Sequence, residues 1–165
     1  DLKSPKLEKG PDLFCDYLER NRVDNLLVLL NGWRRQYIMS ELEKRDIPFT
    51  YYELPDINDV VKMYNATDLY LVTSRVEGGP QSILECAATK TPIISTDIGM
   101  SRDVLSTSCI VPISDTFSNI NNQFDTSITA IEENFNNVKE YFIKDHVKKY
   151  DQLFKEILGD RIWNS

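Results

Sequence analysis

Histidine is nearly absent: His146 is the only one in 165 residues. Cysteine is scarce too, with Cys15, Cys86 and Cys109 far apart and odd in number. That excludes a zinc signature, which needs clustered His and Cys at short spacing. It also removes support for a Ser-His or Cys-His nucleophile system. The three cysteines read as reduced, buried thiols of a cytoplasmic protein. No apolar run approaches the ~20 residues that span a bilayer. No signal-peptide pattern opens the chain. Basic residues are outnumbered, 19 Lys and Arg against 26 Asp and Glu, for a formal net charge of −7. This argues against nucleic acid and anionic membranes as main partners, since both need clustered cations. No G-x-G-x-x-G or G-x-x-x-x-G-K-[ST] occurs, so dinucleotide and P-loop readings fall.

What remains is an ordinary globular composition, 41% hydrophobic and 27% charged, of a length that suits one domain over residues 1–165. Short apolar runs alternate with helical patterns. The expected strands are Leu26 to Leu30, Phe49 to Tyr52, Leu69 to Thr73, Ile93 to Ser95 and Cys109 to Val111. Runs apolar on both faces fit strands covered on both sides. The expected helices between them are Pro11 to Arg20, Arg34 to Arg45, Ile57 to Tyr64, Pro80 to Ala88 and Ser101 to Ser106. This alternation implies βαβ units, hence an α/β, Rossmann-like, doubly wound parallel sheet. After Pro112 the strand signals stop. Asn119 to Phe135 and Val138 to Leu158 read as a helical C-terminal segment. An apolar stripe through Phe142, Val147, Tyr150, Phe154, Ile157 and Leu158 reads as core packing. Ser114 to Gln123 reads as a mobile loop. The sequon Asn65-Ala66-Thr67 precedes an apolar strand and is taken as chance.

In such a sheet, ligands bind beyond the carboxyl ends of the strands. The segments following the strands are therefore the candidates: Asn31 to Arg35, Glu53 to Pro55, Ser74 to Gln81 and Thr96 to Ser101. The third is the most informative. Gly78 and Gly79 let backbone amides approach a ligand. Pro80 suits the first turn of a helix, whose free N–H groups form an anion site. Glu77 precedes this helix and Glu85 lies in its second turn. Helical side chains lean toward the N-terminus, so both carboxylates could reach one ligand. A carboxylate accepts hydrogen bonds from neighbouring hydroxyls, as sugars and ribose offer. The competing reading is a Gly-Gly-Pro loop followed by a surface helix with one solvated Glu.

These residues carry a resemblance. Glu77 and Glu85 form the E-x7-E motif of retaining glycosyltransferases of the two-domain GT-B fold, the group 1 or family 4-like enzymes. Lys9-Gly10-Pro11-Asp12-Leu13-Phe14 resembles the family's Lys-Gly turn and following helix. Leu26 to Gly32 resembles its second strand. Tyr64 to Tyr70 resembles the tyrosine-to-aspartate stretch before the motif strand. Thr91 to Gly99 resembles the strand and glycine loop after it, and Tyr150 to Leu158 the closing helix. The chain is thus similar to the donor-binding half of such an enzyme.

The resemblance implies roles. Glu77 would hold hydroxyls of the donor sugar and Lys9 would neutralise the diphosphate as charge develops; these are the catalytic candidates. Glu85 would bind ribose hydroxyls. The backbone of Gly78, Gly79 and Gln81, with Ser74 and Pro80 beside them, would meet sugar and diphosphate. Leu54 and Pro55 would border the base. Arg34 is a further cation near the cleft, with a solvated helix-start residue as its other reading. The donor is expected to be a nucleotide-diphosphate sugar, with no metal and no cofactor required. No D-x-D pair, the metal holder of the other main glycosyltransferase fold, occurs. The acceptor, a sugar or glycan, and any peripheral membrane contact would belong to an absent N-terminal domain, so the isolated domain is expected to be inactive alone. Alternatives are a non-catalytic Rossmann-like interaction module and a sugar-nucleotide epimerase-like domain. Two departures stand out. Lys90 occupies a position where the family usually has glycine, and an altered turn is expected. Asp1 to Glu8 is too short and polar to supply a first strand, so a gap is expected beside the strand at Leu26 to Leu30.

Overall fold

The computed structural model describes residues 5–113 and 126–158. Helix α1 (Pro11–Arg20) is followed by β1 (Val28–Asn31), α2 (Gln36–Lys44), β2 (Phe49–Tyr52), α3 (Ile57–Ala66) and β3 (Tyr70–Val72). Then come α4 (Gln81–Thr89), β4 (Ile93–Thr96), α5 (Ser101–Val104), β5 (Ile110–Val111), α6 (Ile128–Val138) and α7 (Ile143–Leu158). All strand pairings are parallel, and helices flank the strands, giving the α/β Rossmann-like architecture. The expected loop from Ser114 to Gln123 lies outside the described residues, as does the first part of the helix expected from Asn119.

The sheet comes in two parts. Among the described residues β1 pairs only with β2, in the register Val28 to Phe49, while β3, β4 and β5 form a separate three-stranded unit. In a doubly wound order the place between β1 and β3 belongs to a central strand. Both free edges border a cavity of about 1760 Å³, lined by Val28 to Asn31 on one side and Leu69 to Ser74 on the other. The gap expected beside the strand at Leu26 to Leu30, here β1, is therefore present among the described residues.

Two main apolar clusters hold the halves. Leu18, Val28, Leu30, Leu42 and Ile47 pack between α1, α2 and β1, with Leu71 of β3 against them. Ile83, Cys86, Ile93, Val104, Ala130 and Val138 form the larger cluster around α4. A fully buried Ile or Leu contributes about 1.5–3 kcal/mol, so Ile83 and Leu42, both 0% exposed, are main contributors. All three cysteines are buried. Buried Asn134 on α6 accepts the Ser106 amide through its side chain at 2.6 Å, which satisfies a polar group that would otherwise be costly to bury.

One expectation is corrected. The stripe on the last helix does not pack into this core. Val147 is 57% exposed, Tyr150 53% and Ile157 67%, and α7 has no buried residue. The helix follows the short turn Lys139–Tyr141, and its apolar face is open to solvent. The turn where a change is expected is formed by Lys90. Lys90 itself takes the left-handed conformation, φ 57° and ψ 30°, that closes α4. A lysine there carries a steric cost that glycine would avoid; its ammonium is held by Glu132 at 2.6 Å and sits over the Phe135 ring.

Candidate donor-binding site

The site is assembled at the carboxyl end of β3. Thr73 and Ser74, which continue this strand, are buried. The Thr96 hydroxyl, from the end of β4, donates to the Ser74 carbonyl at 2.6 Å. From the other side the turn Leu7–Lys9 is fastened to the same segment. The Arg75 amide donates to the Glu8 carbonyl at 2.8 Å. The Arg75 guanidinium reaches the Leu7 carbonyl at 2.7 Å and both oxygens of Asp12 at 2.8 and 2.7 Å. These hydrogen bonds hold the Asp12 carboxyl below its usual range. Gly10, at φ +61°, lies against Thr73 so closely that a Cβ would come 1.8 Å from its carbonyl oxygen. Only glycine fits both the conformation and the space.

This docking delivers Lys9 to the loop after β3. Its ammonium forms an ion pair with Glu77, with Lys9 about half exposed and Glu77 more protected. Gly78 and Gly79 follow, both exposed. A Cβ on Gly78 would meet nothing within 4 Å, so its glycine identity leaves open space above the backbone. Pro80 stands one residue before α4, at the N-cap, with φ −65° and ψ 120° and no side-chain cap. The first-turn amides of α4 thus have no capping side chain and carry the positive end of the helix dipole. A cation, a glycine loop and a helix N-terminus converge within a few residues of Glu77.

Glu85 sits one turn deeper in α4. Its Oε2 accepts a hydrogen bond from the buried Tyr64 hydroxyl at 2.6 Å. Burial, the larger effect, and its charged neighbours push that phenol far above its ordinary value, so it stays protonated. Arg34 is exposed and holds a left-handed φ of 61°, uncommon for a side-chain-bearing residue.

Of the expected site residues, Lys9, Arg34, Ser74, Glu77 and Pro80 line the cavity between the two sheet parts. Glu85 is joined to that lining through Tyr64, while Gly78, Gly79, Gln81, Leu54 and Pro55 lie outside it. Leu54 is 70% exposed after β2. Sequence reasoning did not single out Tyr64, Thr96 or Arg75 as supports of the site. Tyr64 and Thr96 stood inside segments that already carried the resemblance, but their partners are distant in sequence. Among the described residues no group of three or more His, Cys, Asp or Glu is placed to hold a metal ion, and no helix is long and apolar enough to cross a membrane.

Comparison with known proteins agrees with this architecture. Sucrose-phosphate synthase from Thermosynechococcus elongatus superposes with a TM-score of 0.75 at 16% identity, over 92% of this chain and 43% of that one. Anabaena Alr3699/HepE, solved in complex with UDP, gives 0.62 at 17% identity, over 92% and 45%. The chain spans less than half the length of either structure. No curated protein matches it. The family model for glycosyl transferases group 1 matches residues 4–108, which takes in the Lys9 turn, the Glu77 loop and α4. By that match, this chain belongs to the glycosyl transferases group 1 family.

Proposed function

We propose that this chain is the donor-binding part of a retaining glycosyltransferase and takes a nucleotide-diphosphate sugar. The observation that carries the reading is the Lys9–Glu77 pair set at the uncapped start of α4. A diphosphate placed at the helix start would meet first-turn amides and the Lys9 ammonium. Glu77, released from Lys9 by the competing phosphate, would accept hydroxyls of the donor sugar. Glu85 would accept the ribose hydroxyls. That HepE has been solved with UDP supports a nucleoside diphosphate as the ligand class.

In the proposed reaction an acceptor hydroxyl oxygen bonds to the anomeric carbon and passes its proton to the departing phosphate oxygen. The bond from that carbon to the terminal phosphate oxygen breaks, and the nucleoside diphosphate leaves with the electron pair. Lys9 and the α4 amides would stabilise the negative charge that develops on it. Catalysis also requires an acceptor held in line, and the positioning effect is large. We place that function in a partner domain, so the isolated chain is expected to bind donor without transferring it.

Isothermal calorimetry of the isolated chain with UDP, GDP and ADP tests the reading. Weak binding of at least one is expected. No heat from any of the three at millimolar concentration would overturn it.

A further inference from the structure

Tyr64 connects two elements that the sequence keeps 21 residues apart. It lies near the end of α3, 8% exposed, and its hydroxyl donates to Glu85 Oε2 on α4 at 2.6 Å. Its backbone carbonyl accepts the Thr91 hydroxyl at 3.0 Å, which ties it to the turn beyond α4. Its ring leans on Tyr70 with centroids 5.6 Å apart. The phenol is thus held by its backbone, its ring and its hydroxyl together. Its raised pKa keeps it a donor across the physiological range.

The consequence lies on Glu85. A glutamate carboxylate swings freely when exposed, and a ligand that needs one orientation must pay for ordering it. The hydrogen bond from Tyr64 uses Oε2, and among the described residues Oε1 accepts none. One oxygen is anchored and the other is left for a ligand. No other described side chain donates to this carboxylate, so the anchor is specific to Tyr64.

We propose that Tyr64 is a positioning residue that fixes Glu85 for ribose and thereby makes the site select ribonucleoside over 2′-deoxyribonucleoside diphosphates. This rests on the donor-binding reading above. The Tyr64 hydroxyl is committed to Glu85, so its proposed role is exerted through that carboxylate.

The test is Tyr64→Phe, which keeps the packed ring and removes the hydroxyl. Calorimetry compares UDP, GDP and ADP with their 2′-deoxy forms, and inorganic pyrophosphate serves as a probe that lacks ribose. In the unaltered chain the ribo form should bind better than the deoxy form. In Tyr64→Phe the ribo affinity should fall about tenfold, the scale of one hydrogen bond to a charged group, while deoxy and pyrophosphate affinities stay within about twofold. Added to Glu85→Ala, the same substitution should cause no further loss. Equal losses for ribo, deoxy and pyrophosphate ligands would show a merely structural role and overturn the proposal. So would a Tyr64→Phe chain that discriminates as well as the original. If the unaltered chain binds no nucleoside diphosphate at all, the donor-binding reading itself falls and takes this inference with it.

Discussion

Gly99 lies against Gly78 so closely that a Cβ on Gly99 would stand 2.0 Å from the Gly78 carbonyl oxygen and 2.8 Å from that of Glu77. The loop after β4 therefore supports the loop after β3 from behind, backbone on backbone. Gly99 also holds φ +44°, so a side chain there meets both a clash and an unfavourable conformation. Gly99→Ala should lower unfolding free energy by about 2 kcal/mol or more and displace the Glu77 loop. Gly78→Ala, with open space around it, should leave stability nearly unchanged. Urea denaturation of both variants separates them. Equal midpoints would show that the two loops do not support each other.

Glu85→Ala should weaken nucleoside-diphosphate binding by about 1.5–3 kcal/mol, the range for hydrogen bonds to a charged group. It should also cost stability, because the Tyr64 hydroxyl loses its acceptor in a buried place; an unsatisfied group of this kind costs about 1–3 kcal/mol. The sequence alone gave no reason to expect a stability effect at Glu85. Glu77→Ala should spare the bare nucleotide and weaken the sugar-bearing donor. Titration of both variants with UDP and a UDP-sugar checks the division. Equal losses for both ligands in both variants would show the roles to be wrongly assigned.

Asp12 and Arg75 give a pH signature. The carboxyl of Asp12 is held below the ordinary carboxylate range, first by its hydrogen bonds from Arg75. A depressed folded-state pKa adds stability above the unfolded value and loses it as pH falls through the folded value. The contribution should thus be whole above about pH 5 and fade below pH 4. Arg75→Met should flatten that acid-side fall and free the Leu7–Lys9 turn, which Arg75 also holds. Thermal melts between pH 3 and 7 provide the measurement. An identical acid-side slope in Arg75→Met would remove the pair from the explanation.

The split sheet makes a prediction for hydrogen exchange. The Val28 amide bonds to the Pro48 carbonyl at 2.9 Å and the Gly32 amide to Tyr52 at 3.1 Å. Strand alternation then turns the Leu29 and Asn31 amides toward the cavity beside β1. The Tyr70 amide bonds to Pro92 at 2.8 Å, so Leu71 faces the cavity from β3. Leu29 and Leu71 should exchange faster than their neighbours Leu30 and Val72. Strong, equal protection of all four would show that these edges are paired in solution.

Much of the fold was legible in the residues. The range of α1 and that of β2 agree with the expectation, and the other strands and helices of the α/β part fall within a few residues of theirs. The reason is that these elements are local: an apolar run, a proline at a helix start or a turn signal specifies them without reference to distant chain. Glu77 and Lys9 were also legible as candidates, through the motif and the Lys-Gly turn, and the structure pairs them. The packing of the last helix was not. Its stripe has the period of a buried helix face, and periodicity reports that a face is apolar, not what lies opposite it.

The sequence by itself determined the order of strands and helices, the glycine loop and the two carboxylates on either side of the helix start. Those are properties of short segments, set by side-chain pattern and backbone sterics. Only the tertiary structure decided that Lys9 meets Glu77 across 68 residues, that Gly99 supports Gly78, and that Tyr64 anchors Glu85. These contacts depend on how parallel strands bring distant loops to one edge of the sheet. That geometry is fixed by burial of the clusters around Leu42 and Ile83, a collective property that no single segment encodes.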